Sequence, residues 1–179
     1  LLALFTDLQT AIVLTLIPTL LVNVISIISE GNIFLAVRRH LSLALFAMLG
    51  SAIGTQILLF ANSDYFKVLL GVIILIYLLI DRIKLKLSWI KEYPKFSKFI
   101  FGISAGLIGG LTNVMAPVLI IYSLESKHSK SDTVQAANFC FLLGKIIQIF
   151  LFTINGAFTL NDLSTSSIML LVTSLALYV

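Results

Sequence analysis

Lys145 is the one charge well inside an apolar run of this sequence. Asn138 lies seven residues before it and Gln148 three after. On a helix this puts Asn138 nearly in line with Lys145, and Gln148 on a neighbouring face. A cation at a bilayer centre costs about 2.5–3.5 kcal/mol by insertion scales. Lys145 is about ten residues from either end of its run, a long reach for a snorkelling side chain. The placement points to a charge that faces an anion, or to one that exchanges a proton once desolvated. No Asp or Glu lies deep in any apolar run, which argues against a cation pump and for an anionic or neutral substrate.

Two further stretches carry polar groups at depth. Thr15, Thr19, Asn23 and Ser26 fall on one helical stripe, with Pro18 inside the same run. Pro18 removes one backbone donor, so a carbonyl one turn earlier needs a partner, for which a Thr or a water would serve. Thr15 and Ser26 read as packing residues; Thr19 and Asn23 are candidate contacts to substrate. Gly102, Gly106 and Gly110 repeat every four residues, a face that lets another helix come very close. Thr112, Asn113 and Pro117 then break that helix. Pro117 fits the first turn of a second, short helix, with Asn113 as its cap. The free amides and the dipole at such a helix start favour an anion, so Gly110, Thr112 and Asn113 join Lys145 in the candidate site.

The elements that must position these groups are membrane helices. Of 179 residues, 59% are hydrophobic and 11% charged, against about 45–50% and about 25% in soluble domains. The mean hydropathy is +1.10. A soluble all-α domain is excluded; an all-α polytopic membrane protein is expected. One cysteine, Cys140, excludes a disulfide scaffold, and with two histidines it leaves no metal cluster. Cys140 reads as a small buried helix residue. His40 and His128 read as solvated loop residues beside Lys or Arg. Apolar segments cover 8–29, 41–61, 66–80, 99–123, 135–155 and 163–179. Arg38 and Arg39 follow the first; Arg82, Lys84, Lys86, Lys91, Lys95 and Lys98 precede the fourth, with Trp89 and Tyr93 as interface anchors. Both loops are therefore expected on the cytoplasmic side. The net charge of +4 follows from that bias and calls for anionic lipid headgroups, not nucleic acid.

Segment 99–123 presents a parity problem. If it crossed fully, Lys127 and Lys130 would lie outside and the loop near residue 160, which has no Lys or Arg, inside. A re-entrant helical hairpin, entering and returning on one side, restores both loops. Shifting the chain by 125 positions aligns Asp7 with Asp132, Ala11 with Ala136, Asn23 with Gln148 and Gly31 with Gly156. A hairpin adds no crossing, so the two copies would be inverted. Such repeats with broken helices are a transporter architecture with a midplane site. The expected division is a first repeat over 1–98 and a second over 99–179. Both ends of the chain fall inside apolar runs, and the expectation is a longer protein with one more hairpin before and one more span after. In the second segment, Gly50-Ser-Ala-Ile-Gly54 reads as tight packing.

This pattern resembles the TauE/SafE sulfite exporter family of bacterial and archaeal permeases. The resemblance rests on the run from Gly102 through Gly106, Gly109 and Gly110 to Pro117, on Gly50 and Gly54, and on Asp132 to Gln148. It implies an inverted-repeat transporter in the plasma membrane that moves sulfite, thiosulfate or an organosulfonate. It implies no enzyme activity and no cofactor, and leaves a homo-oligomer open. The competing readings are a passive anion channel, using the same cationic path without rocking repeats, and a structural membrane subunit.

Overall fold

The computed structural model describes residues 5–31, 33–62, 64–79, 87 and 89–178. Within them the secondary structure is helical throughout, with no strand. The helices are α1 (Leu8–Ser29), α2 (Ile33–Phe60), α3 (Asp64–Leu79), α4 (Trp89–Glu92), α5 (Pro94–Thr112), α6 (Ala116–Glu125), α7 (Lys130–Ile154) and α8 (Leu160–Tyr178). Three of them, α1, α2 and α7, are long and apolar enough to cross a membrane. Arg82, Lys84 and Lys86, expected in a cytoplasmic loop, lie outside the described residues.

Local chemistry sets the helix ends. The Asp7 carboxylate accepts the Thr10 amide at 2.9 Å and starts α1. The Ser129 hydroxyl accepts the Asp132 amide at 3.1 Å and starts α7. Both helices stop at a glycine of positive φ two residues past the last helical turn, Gly31 at +134° and Gly156 at +69°. Glycine takes such angles at no steric cost. Segments expected to begin at 41 and 135 begin instead at Ile33 and Lys130. No Gly or Pro interrupts 33–49, and charged side chains on an exposed face do not end a helix. Arg38, Arg39 and His40 are therefore helical, not in a loop.

Three contacts establish directions. Arg39 pairs with Asp132, and Ser51 Oγ donates to the Gly144 carbonyl at 3.2 Å. Both pairs are 93 apart, so α2 and α7 run parallel in one register. Ser131 Oγ donates to the Glu30 carbonyl at 3.0 Å, which brings the end of α1 to the start of α7. With its short link to α2, α1 is thus antiparallel to α7. Helices α2 and α5 run parallel along a glycine seam. A Cβ on Gly50 would overlap the Ile103 carbonyl oxygen, and one on Gly106 the carbonyl oxygen of Ala47. The four-residue spacings on both helices are thus backbone contacts, as the sequence suggests. Helix α6 then returns alongside α5 to the end where α5 began: Tyr122 meets Phe101 at 5.5 Å between rings, and the Leu87 amide donates to Glu125 Oε2 at 3.0 Å. The helix, break and returning helix of a hairpin are all present. The end it returns to carries Arg38, Arg39, Lys95, Lys98, Lys127 and Lys130.

Two apolar clusters form the interior. One gathers Ile27, Leu43, Ala47, Met115, Leu119 and Cys140 toward the basic end. The other gathers Leu8, Ile12, Leu16, Leu58, Leu111 and Phe152 toward the far end. The outside is equally apolar. Leu41, Leu45, Leu49, Ile53 and Ile57 form an exposed apolar stripe at four-residue spacing along α2.

Candidate functional site at the hairpin turn

Between the two clusters lies a layer of buried polar groups: Ser51 and Thr55 from α2, Thr112 from α5, Lys145 and Gln148 from α7. Lys145 is 1% exposed. Its Nζ donates to Gln148 Oε1 at 2.8 Å, and Gln148 Nε2 in turn approaches the Gly110 carbonyl at 3.4 Å. The i, i+3 spacing that places Gln148 on the adjoining face is what makes the first bond. Among the described residues Lys145 has no acidic partner; the one ion pair there is Arg39 with Asp132. An unpaired buried ammonium carries two further protons and a full charge into a medium of low dielectric.

The turn that ends α5 is built around Asn113. Its backbone sits at φ +67°, in the left-handed region that asparagine tolerates better than most residues. Its amide donates to the Gly109 carbonyl at 2.8 Å. Asn113 therefore caps the end of α5, not the start of α6 as expected; the residue preceding α6 is Met115. Its side-chain amide reaches Thr15 Oγ1 on α1 at 3.3 Å, while its Oδ1 is buried without a partner. Thr112 Oγ1 donates to the Ile108 carbonyl at 2.8 Å. Pro117 lies in the first turn of α6, and α6 starts without a side-chain cap. The Met115 side chain fills the space that the missing Cβ atoms of Gly109 and Gly144 leave. The start of the short helix is thereby held next to Lys145.

Gly110, Thr112, Asn113, Lys145 and Gln148 thus meet at one turn. The other candidates do not. Asn138 bonds its own helix at the Val134 carbonyl, at 2.9 Å, two turns from Lys145. Asn23 is buried with its Nδ2 unpartnered, two turns from Thr15. Thr19 donates to the Thr15 carbonyl at 2.7 Å and lines a groove of about 360 Å³ between α1 and α8, with Thr15, Pro18, Ile168 and Val172.

The carbonyl that Pro18 leaves free is that of Leu14, and it accepts Ser166 Oγ of α8 at 3.0 Å. The partner is a serine of another helix, not a threonine of α1. Ser51, Thr55 and Ser166 escaped the sequence reading. The Ser and Thr beside the Gly50 to Gly54 pair were the available signal, but which face they occupy depends on the neighbouring helix. The histidines are a correction. His40 is 2% exposed, and its ring lies 5.8 Å from that of partly buried His128. Because α2 starts at Ile33, His40 is two turns inside it and faces the loop before α7. Burial holds the His128 imidazole below the usual histidine range, Asp132 opposes that, and Lys98 and Arg39 add to it. Among the described residues no three His, Cys, Asp or Glu side chains are grouped to hold a metal.

Searches of the curated proteins and of solved structures return no match. The family model for the sulfite exporter TauE/SafE matches residues 1–179, the whole sequence. With the helical membrane architecture and the hairpin in place, the chain belongs to the TauE/SafE sulfite exporter family.

Proposed function

We propose that the chain is a secondary transporter that moves a small sulfur oxyanion or organosulfonate by alternating access, with Lys145 supplying the charge that the anion meets. The observation that carries this is the fully buried Lys145 with no acidic partner among the described residues, placed beside the turn of a broken helix. Gln148 holds the ammonium when no anion is present. Gly110, Thr112 and Asn113 form the backbone break that lets a ligand approach. The family supplies the substrate class, and the plasma membrane of a bacterium or archaeon is the setting it suggests.

Alternating access rests on an inverted repeat, for which several features speak. Helices α1 and α7 correspond under the shift of 125, run antiparallel, and end on glycines of positive φ that are themselves 125 apart. Helix α8 runs alongside α1 in the same direction, from the Ser166–Leu14 bond to the groove of Thr19 and Val172. The parallel pair α1/α8 is then the counterpart of α7/α2. In this reading the repeats span 1–98 and 99–179.

The test is flux of labelled sulfite, thiosulfate and taurine in proteoliposomes holding the full-length protein. Saturable uptake with counterflow of at least one is expected. A leak without counterflow would replace the transporter with a channel, and no movement of any of the three would remove the substrate class.

A further inference from the structure

Among the described residues Thr55 is the one Ser or Thr whose fully buried hydroxyl has no hydrogen-bond partner. Helical Thr and Ser side chains in an apolar setting bond the carbonyl three or four residues back. Thr15, Thr19, Thr112 and Thr153 all do so, at 2.7–3.0 Å. Buried Ser51 and Ser166 instead reach carbonyls of other helices. Thr55 does neither. It is 0% exposed, and its Oγ1 has no hydrogen-bond partner. The carbonyl it would normally use, that of Ser51, is covered by the backbone of α5, since a Cβ on Gly110 would lie 2.6 Å from that oxygen and 2.8 Å from the Thr55 amide nitrogen.

The position of this hydroxyl adds to its oddity. The register of 93 between α2 and α7 puts Thr55 level with Gln148. Gly110, in contact with Thr55, offers its carbonyl to Gln148 Nε2, and Gln148 Oε1 holds Lys145. An unpartnered hydroxyl and a buried ammonium are therefore linked through Gly110 and Gln148 beside the turn of the broken helix. A buried donor without an acceptor is costly, and natural chains rarely keep one without a use.

We infer that Thr55 is a substrate-binding residue of the transporter: its hydroxyl donates to one oxygen of an oxyanion whose charge Lys145 neutralises. The inference rests on the reading of Lys145 as the anion's partner. A single cation would hold a halide as well as an oxyanion. A hydroxyl set apart from the ammonium selects a group with at least two oxygens, such as sulfite or a sulfonate. Thr55 would thus supply discrimination, and Lys145 charge.

The experiment measures sulfite uptake by full-length protein in proteoliposomes, with chloride as competitor, for wild type, Thr55→Val, Thr55→Ser and Thr55→Ala. Valine keeps the shape and removes the donor. The expected result is a rise of about tenfold in KM for sulfite with kcat within about twofold. Chloride should compete better in proportion, and serine should restore wild-type values. A residue that merely packs would change the amount of folded protein and leave KM and the chloride competition alone. Unchanged KM in the valine variant, with wild type active, would overturn the role of Thr55 and leave that of Lys145 standing. If the valine variant does not reach the membrane, the alanine variant is judged by the same KM. A wild type that moves no sulfite, thiosulfate or taurine overturns the underlying reading and this one with it.

Discussion

The two ends of the α5–α6 hairpin each bury polar atoms without partners, yet they are built on opposite terms. At the turn these atoms are Asn113 Oδ1 and, on the facing helix, Thr55 Oγ1; at the base they are His40 Nε2 and His128 Nδ1. The turn sits beside a lone ammonium and a backbone break. The base is packed with rings: Trp89 on Phe101, Phe101 on Tyr122, Tyr122 on His128, His128 on His40, with centroids 5.5–6.0 Å apart. Around it stand Arg39, Lys98 and Asp132, the last already engaged by Arg39 and Ser129. Aromatic packing fixes a position and needs nothing from outside. A charge held by one neutral amide does need something from outside. The hairpin is thus anchored by packed rings at its base, while its turn keeps polar atoms unsatisfied beside a buried charge.

The most direct way to break this contrast is to remove the charge. Lys145→Gln should lower sulfite flux about 100-fold, in line with the 2–5 kcal/mol that truncating one partner of a buried charge pair costs, while protein yield is kept. Wild-type flux in this variant would show that the turn is as structural as the base. His128→Gln, by contrast, should leave flux within a few-fold.

The seam that joins the two ends offers the next test. Gly106→Val would drive a side chain into the Ala47 backbone, where neither helix can give. A loss of about 3 kcal/mol or more is expected from overpacking, read as a lower melting temperature in detergent. An unchanged melting temperature would mean that α2 and α5 are not held in this register.

Acid should act on the base and spare the turn. His128 is held below the histidine range by burial, so the folded chain keeps it neutral where the unfolded chain begins to take a proton, near about pH 6.5. The contribution of this group is therefore present above that value and lost as pH falls through and below it. Trp89, the sole tryptophan, stacks on Phe101 and reports on the ring chain. Its emission should shift as the pH is lowered from about 7.5 to about 5, and melting should drop by roughly 2–4 °C per kcal/mol lost. Replacing both His128 and its ring neighbour His40 with Gln should flatten both responses; the same response in that double variant would place the sensitive group elsewhere.

How much of this was readable in advance depends on whether the signal is local. The break at Gly110 to Pro117 and the glycine spacings on α2 and α5 are visible because Gly and Pro act on their own backbone. The depth of Lys145 is visible because charge in an apolar run stands out. Asn113 was legible as a terminus residue but assigned to the wrong helix, since an asparagine serves either end and only its φ of +67° decides. His40 and Thr55 were not legible. Each is ordinary in its own helix, and each acquires its character from a neighbour more than 50 residues away, the loop at His128 and the backbone of Gly110. Ser166 was hidden for the same reason: the sequence announces a free carbonyl at Pro18 but not the helix that answers it.

That last pair gives the smallest of the expected effects. Ser166→Ala removes the hydroxyl that satisfies the Leu14 carbonyl and leaves the carbonyl buried between α1 and α8. The expected loss is about 1–3 kcal/mol if the carbonyl stays unpaired, and less if a water enters the adjacent groove by Thr15 and Thr19 and replaces the bond. Replacing Pro18 separates the two cases. In Pro18→Ala the restored amide can bond Leu14 within the helix, so Ser166→Ala should cost less in that background than in the wild type. Equal costs in both backgrounds would show that Ser166 stabilises α8 by packing and that the proline's free carbonyl is answered elsewhere. Unequal costs would tie the carbonyl freed by Pro18 to α8, and so give the α1/α8 pair a polar anchor of its own, matching the Ser51–Gly144 bond that links α2 to α7.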